Sequence, residues 1–263
     1  LTYLISFPVR LIGSKYGLTD NPNYRKQHKS PIVRLGGSAM FLSGSLSLLL
    51  VSLLGGFSNS IVNNLDLSYC ILIGASSFFL IGFVDDLIGL SPLIRFICQS
   101  IIASIVWSQG LRIQVIDISI FSGSTSLIEF SNIFSLFLTV IWLVGVTNAI
   151  NWLDGLDGLV AGITLIYSLS LGYIGSSNNE IGEVIIAFTI AGCSLGFLFH
   201  NFYPAKIIMG DGGSYLSGFS LATLAITNSF NPITLDDSLF DNYIPIYVPL
   251  LVLFIPLVDM VSV

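Results

Sequence analysis

The sequence predicts an all-α polytopic membrane protein with about nine transmembrane helices, and three observations carry that prediction. Of its 263 residues, 54% are hydrophobic and only 9% charged, with a mean hydropathy of +0.89. A soluble domain is nearer about a quarter charged, so this composition cannot cover a globular surface. Apolar runs of the length a bilayer demands, about 17–25 residues, recur along the whole chain. These runs are too long for barrel strands and lack their alternation, so the spans are helical.

In chain order the spans fall near 1–13 (short), 35–57, 69–84, 92–108, 131–147, 159–175, 184–200, 214–228 and 244–262. They form a single integral membrane domain, 1–263. No small-residue cleavage site follows the first apolar stretch. Because the chain starts at Leu1 and stops at Val263 inside an apolar run, truncation at both ends is expected. Orientation follows from the loop 14–34, which carries Lys15, Arg25, Lys26, Lys29 and Arg34 and is placed in the cytoplasm. Alternation then puts the Asp85-Asp86 pair and the loops 148–158 and 200–213 on the cytoplasmic face. The loops 58–68, 109–130, 176–183 and 228–243 fall outside, where Arg112 is the one base that runs against the scheme. Within 109–130, the alternation of Ile113 to Ile120 predicts a short hairpin. The net charge of −6 says little about partners, because most of the bases are crowded into Arg10 to Arg34; they report orientation and give no sign of nucleic-acid binding. Cys70, Cys98 and Cys193 lie in apolar spans without paired spacing, and read as core residues.

Three stretches have chemical potential. Between the apolar runs 133–146 and 159–174 lies Asn148-Ala-Ile-Asn-Trp-Leu-Asp-Gly-Leu-Asp-Gly-Leu159, read as a short turn. Asn148 and Asn151 are three apart, as are Asp154 and Asp157, a spacing that allows one helical face to present all four. Gly155 and Gly158 admit backbone, phosphate or metal at close range. Asp85 and Asp86 end a span; adjacent acids repel, so either one pKa rises or a cation sits between them, and Mg²⁺ takes such oxygen ligands. Arg95, beyond Pro92, stands where the next helix begins and within reach of a diphosphate. Asp211, flanked by Gly210, Gly212 and Gly213 at the start of a span, makes a metal-phosphate seat without the spacing of a Walker A loop. Each stretch alone is also an ordinary Asp-Gly turn or helix-end pair. The basic loop, with Arg25, Lys26, His28, Lys29 and Arg34, either anchors the chain on anionic lipid or holds a phosphate. His200 reads as a polar helix-end residue. Three acidic turns on one membrane face, joined by bases, describe a site for Mg²⁺ and a diphosphate beside the bilayer.

The set Phe83-Val-Asp-Asp-Leu-Ile-Gly-Leu, Asn148 to Leu159 and Met209-Gly-Asp-Gly-Gly-Ser resembles the polyprenyl-phosphate N-acetylhexosamine-1-phosphate transferases. The likeness runs from Pro22-Asn-Tyr-Arg-Lys-Gln-His28, through Arg34-Leu-Gly-Gly37, to the end of the chain. Trp152 and the Met209 to Ser214 form look closer to the undecaprenyl-phosphate N-acetylglucosamine branch than to the phospho-N-acetylmuramoyl-pentapeptide branch. The resemblance implies that a polyprenyl phosphate attacks a UDP-N-acetylhexosamine, giving a lipid-diphospho-sugar and UMP, as the first membrane step of an envelope polysaccharide. It also implies a cytoplasm-facing cleft open sideways to the prenyl chain, in the plasma membrane. By motif position, Asp211 is implied as the ligand of Mg²⁺ (Mn²⁺ the substitute), with Asn151 in support. Asp85 and Asp86 match the lipid-phosphate side, one as base, and Asp154 and Asp157 match the second acidic turn. Arg95, Asn148, Asn151, Lys26, His28 and Lys206 are assigned to substrate, and a homodimer is carried as the assembly. Family members have a further His/Arg-rich loop beyond the point where this chain stops, so the isolated chain is expected to be weak or inactive.

Two other readings compete. A transporter would place its carboxylates mid-span rather than at span ends. A CDP-alcohol phosphotransferase would carry a tighter Asp/Gly/Arg signature that is absent from this sequence.

Overall fold

The computed structural model describes residues 1–20, 31–55, 65–117, 127–177 and 181–230. These residues form eight helices: α1 Thr2–Lys15, α2 Gly36–Leu53, α3 Leu65–Ile88, α4 Pro92–Ser108, α5 Asn132–Leu153, α6 Leu159–Ser177, α7 Ile181–Asn201 and α8 Gly210–Phe230. Two short antiparallel ladders accompany them, β1 Thr19–Asp20 with β2 Ile32–Val33, and β3 Val115–Asp117 with β4 Leu127–Glu129. The second ladder is a hairpin entered from the alternating stretch that begins at Ile113.

Five helices, α2, α3, α5, α6 and α7, are long and apolar enough to cross a membrane, which makes this a multi-pass membrane protein. Against the nine expected spans, α1 with 14 residues and α4 with 17 are shorter helices, α8 over the expected 214–228 is long enough but too polar to count among the five, and 244–262 lies outside the described residues. Two boundaries also differ. The third span does not stop at 84 but runs to Ile88, carrying Asp85 and Asp86 on its last turns until Gly89 takes φ 69 and ends it. The fifth does not stop at 147, because Val146, Ala149, Ile150 and Leu153 continue its buried face at helical spacing. Asn148 and Asn151 are therefore helical residues rather than members of a turn.

α8 is the hub. It is packed on by α2, α3, α5 and α6, and almost every residue from Gly210 to Asn228 is buried. Ser214, Ser217, Ser220, Thr223 and Thr227 make it more polar than the five spanning helices, but small residues let neighbouring backbones approach. The Thr223 and Thr227 hydroxyls return to carbonyls of their own helix. A Cβ on Gly218 would stand 2.7 Å from Thr147 Cα, so α8 and α5 are in backbone contact there. Higher up the same pair, Trp142 Nε1 donates to the Ala222 carbonyl at 3.1 Å. On the other side, Phe78 of α3 lies 4.4 Å from Phe219. These contacts fix the first turn of α8 among the ends of α3, α4 and α5.

Candidate active site

Residues 31–37 bring the first polar group to that end of the bundle. Val33 bridges in parallel to Ile207, Ile208 N donates to Val33 O, and Gly36 and Gly37 N–H groups donate to Ile208 and Met209 carbonyls. The strand-like strip thus lays the start of α2 against the start of α8. A side chain on Gly37 would collide with the Gly213 backbone, so both positions require glycine for this approach. Gly210 adopts φ 74, and a Cβ there would also lie 2.7 Å from Asp86 Oδ2.

Arg34 is carried in by this strip. Its Nε pairs with Asp86 Oδ1 at 2.8 Å and its Nη2 with Asp211 Oδ1 at 2.9 Å. Burial works against its charge, but Asp211 and Asp86 more than compensate and hold the guanidinium above its ordinary value. Asp86, only 4% exposed, faces α8: Asp211 N and Gly212 N each donate to its carboxylate at 2.9 Å. A carboxylate from α3 therefore caps the N-terminus of α8, meeting unpaired N–H groups and the positive end of the helix dipole. Asp85 turns the other way. It accepts from Leu90 N at 2.6 Å and from Arg95 Nη1 at 2.7 Å. Arg95 also lies 3.6 Å from Asp211 Oδ2 and 3.4 Å from the Tyr215 hydroxyl. Ser91 caps α4 and Pro92 opens it, which sets Arg95 on the first turn.

Asp211 is the centre of the arrangement. Beyond the two arginines, Asn151 Nδ2 donates to its Oδ1 at 2.8 Å and to Ser214 Oγ at 2.8 Å. Its carboxylate and that of Asp85 share Arg95, whose Nη1 lies 3.6 Å from Asp211 Oδ2 and 2.7 Å from Asp85 Oδ2. Asp154, the C-cap of α5, is half-buried beside Gly210. Loss of water pushes its carboxyl well above the ordinary range, and the charges of Asp211 and Asp86 push it further.

Of the sequence-derived residues, Asp85, Asp86, Asp211, Arg95 and Asn151 meet directly, with Asp154 alongside. Asn148 stands one turn below Asn151 and donates to Gln99 Oε1. Asp157 is not brought in: α5 has ended, and its exposed carboxylate accepts from Ala205 N at 2.9 Å. The Lys206 side chain is exposed and has no described bond, and Lys26 and His28 lie outside the described residues. Arg34, read from sequence only as part of the basic loop, is a central member. The signal for it was its place two residues before Gly36-Gly37 at a helix start. Ser214 and Tyr215 gave no signal of their own.

Between α4 and α5 a groove of about 580 Å³ opens from this cluster. Arg95, Asn148 and Asn151 form its polar end, and Phe96, Val140, Ile141 and Val144 line the rest. A smaller apolar cavity among α2, α3, α7 and α8 touches none of the acidic residues.

Known proteins are similar to this chain in sequence. Residues 68–229 match the model of glycosyl transferase family 4. The chain is 32% identical over 260 residues to a probable undecaprenyl-phosphate N-acetylglucosaminyl 1-phosphate transferase of Bacillus subtilis, covering 98% of this chain and 67% of that protein. It is 34% identical over 272 residues to a decaprenyl-phosphate N-acetylglucosaminephosphotransferase of Mycobacterium tuberculosis, covering 99% and 66%. A phospho-N-acetylmuramoyl-pentapeptide-transferase of Halalkalibacterium halodurans is 33% identical over 246 residues, covering 86% and 74%. The chain thus spans about two thirds of the length of the first two relatives. With the family model covering more than half of it and the matched segment holding all of the site but Arg34, the chain belongs to glycosyl transferase family 4.

Proposed function

We propose that the protein transfers N-acetylglucosamine-1-phosphate from a UDP-sugar to a polyprenyl phosphate, on the cytoplasmic face of the plasma membrane. The observation that carries this reading is the junction of the acidic and arginine cluster with the apolar groove between α4 and α5. An acceptor with an anionic head and a long hydrocarbon tail has the same two-part chemistry. The names of the Bacillus and Mycobacterium relatives support the acceptor and the sugar.

In the reaction a lipid-phosphate oxygen bonds to the sugar-bearing phosphorus of the donor. The bond from that phosphorus to the bridging oxygen breaks, and UMP leaves with the oxygen and its electron pair. Phosphoryl transfer of this kind depends on positioning and charge neutralisation more than on a special nucleophile. Arg95 and Arg34, 25% and 38% exposed in their side chains, are the groups placed to meet phosphate oxygens. Asp86 is saturated by Arg34 and two backbone N–H groups, so its part is to hold Asp211 in place. Asp85, bonded to Arg95, sets that guanidinium at the mouth of the groove.

The donor set suits Mg²⁺. Among the described residues no group of three His, Cys, Asp or Glu side chains converges as a closed metal site. Two carboxylates, Asp85 and Asp211, do face the same Arg95 nitrogen, and Mg²⁺ typically binds through one or two carboxylates and leaves its other positions to water and phosphate. Asp211 with Asp85 would hold the ion, Asn151 orienting Asp211. Bound there, it would supply Lewis-acid neutralisation of the diphosphate.

The test is a transfer assay on the full-length protein in membranes with UDP-N-acetylglucosamine, undecaprenyl phosphate and Mg²⁺, following UMP and lipid-linked sugar. Release of UMP that stops on chelation is the expected result. Activity only with the UDP-N-acetylmuramoyl-pentapeptide donor would overturn the choice of sugar, and activity untouched by chelation would overturn the metal.

A further inference from the structure

One polar contact near the groove has no part in the chemistry above. Gln99 lies one turn beyond Arg95 on α4 and is completely buried. Its Oε1 accepts from Asn148 Nδ2 at 2.7 Å, and the same nitrogen donates to the Val144 carbonyl at 2.7 Å. Both N–H bonds of the Asn148 amide are therefore engaged. Asn148 is half-buried and lines the groove, and no described group donates to its Oδ1.

Turning that amide over would set its oxygen against two acceptors, Gln99 Oε1 and Val144 O. Each lost bond would leave a buried polar group unsatisfied. The orientation is thus imposed from outside the residue. Gln99 gains nothing for itself, since its own Nε2 is buried without a partner. A leucine or methionine would fill the same space without that cost.

We propose that Gln99 is a positioning residue that holds Asn148 Oδ1 toward the groove. The site then offers an oxygen acceptor at this point, one turn below Asn151. What it meets is a hydrogen-bond donor on the bound substrate, a hydroxyl or amide N–H, and not a bare phosphate oxygen. The inference rests on the transfer reading given above.

The test compares four variants of the full-length protein in the transfer assay, with thermal unfolding measured on each. Gln99→Met is expected to keep or raise the unfolding temperature while kcat/KM falls about tenfold, the scale of one hydrogen bond. Asn148→Asp keeps oxygen at the groove and Gln99 can turn its Nε2 to meet the other oxygen, which also faces the Val144 carbonyl; activity should fall below wild type but stay well above that of Asn148→Leu. Asn148→Leu should lose far more, and adding Gln99→Met to Asn148→Leu should cost nothing further. Full activity in Gln99→Met would overturn the proposal. So would an Asn148→Asp protein as poor as Asn148→Leu, which would show that the N–H is what substrate uses. An equal loss from Gln99→Met in both backgrounds would make Gln99 merely structural. An inert wild type would remove the transfer reading and this one together, whereas an active wild type leaves the variants to decide on Gln99 alone.

Discussion

Asp85-Asp86 and Asp154-Asp157 are similar in the sequence, each an acidic pair where an apolar run gives out, yet they meet opposite fates. The first pair stays on a helix, and its two carboxylates diverge to serve Arg95 on one side and the α8 N-terminus on the other. The second pair straddles the end of α5. Asp154 turns inward beside Gly210, while Asp157 faces out and ties its turn to Ala205. Whether a carboxylate joins the site depends on where its helix ends, not on how far it stands from its neighbour.

That contrast is sharpest at Asp211, where both sides converge. Asp211→Asn should lower transfer by about 10²–10³-fold, the scale of losing a main electrostatic group, while the protein still folds. UMP release measures it, and near-normal turnover would dissolve the comparison by moving the chemistry elsewhere. Asp86→Asn should act first on stability. It leaves Arg34 short of one partner and weakens the cap of α8, at a cost of about 2–4 kcal/mol. Thermal unfolding in detergent checks this; an unchanged unfolding temperature together with lost activity would make Asp86 a chemical group after all.

Asp154 should respond to pH. Its carboxyl titrates above the ordinary range in the folded protein and near that range when unfolded. Its charged form therefore destabilises the fold: the penalty is absent in acid and grows as pH rises through the raised value. Asp154→Asn removes it, so the variant should gain unfolding temperature over wild type as pH rises, with the gain vanishing in acid, when both are measured with a chelator present. A gain that is constant with pH would assign the effect to packing. Asp157→Ala should do least, a few tenths to about 1 kcal/mol for one exposed hydrogen bond, with transfer changed less than about twofold. A large loss of activity would restore it to the site.

The helices were legible because apolar runs of membrane length have few other uses, and the motif residues were legible because carboxylates are costly beside a bilayer. Boundaries were harder. The polar Asn148 and Asn151 look like the start of a turn, but the helix follows its buried face through Ala149, Ile150 and Leu153. Arg34 was hidden for a different reason: its partners are far along the chain, and backbone contacts such as Val33 with Ile207 and Gly37 with Gly213, invisible in the sequence, make the two regions adjoin. Gln99 was hidden by its surroundings, a single amide within an apolar run whose partner lies on another helix.

The contact between Gly37 and Gly213 also sets an order of events during synthesis. Arg34 and Asp86 emerge from the ribosome well before Asp211, and at roughly 5–20 residues per second Arg34 waits on the order of ten seconds or more for it. From the moment Asp86 is made, the end of α3 carries a carboxylate whose N–H donors on α8 do not yet exist. The nascent protein thus passes through a stage in which two arginines can meet only the carboxylates of α3, and the site completes itself only when α8 brings Asp211.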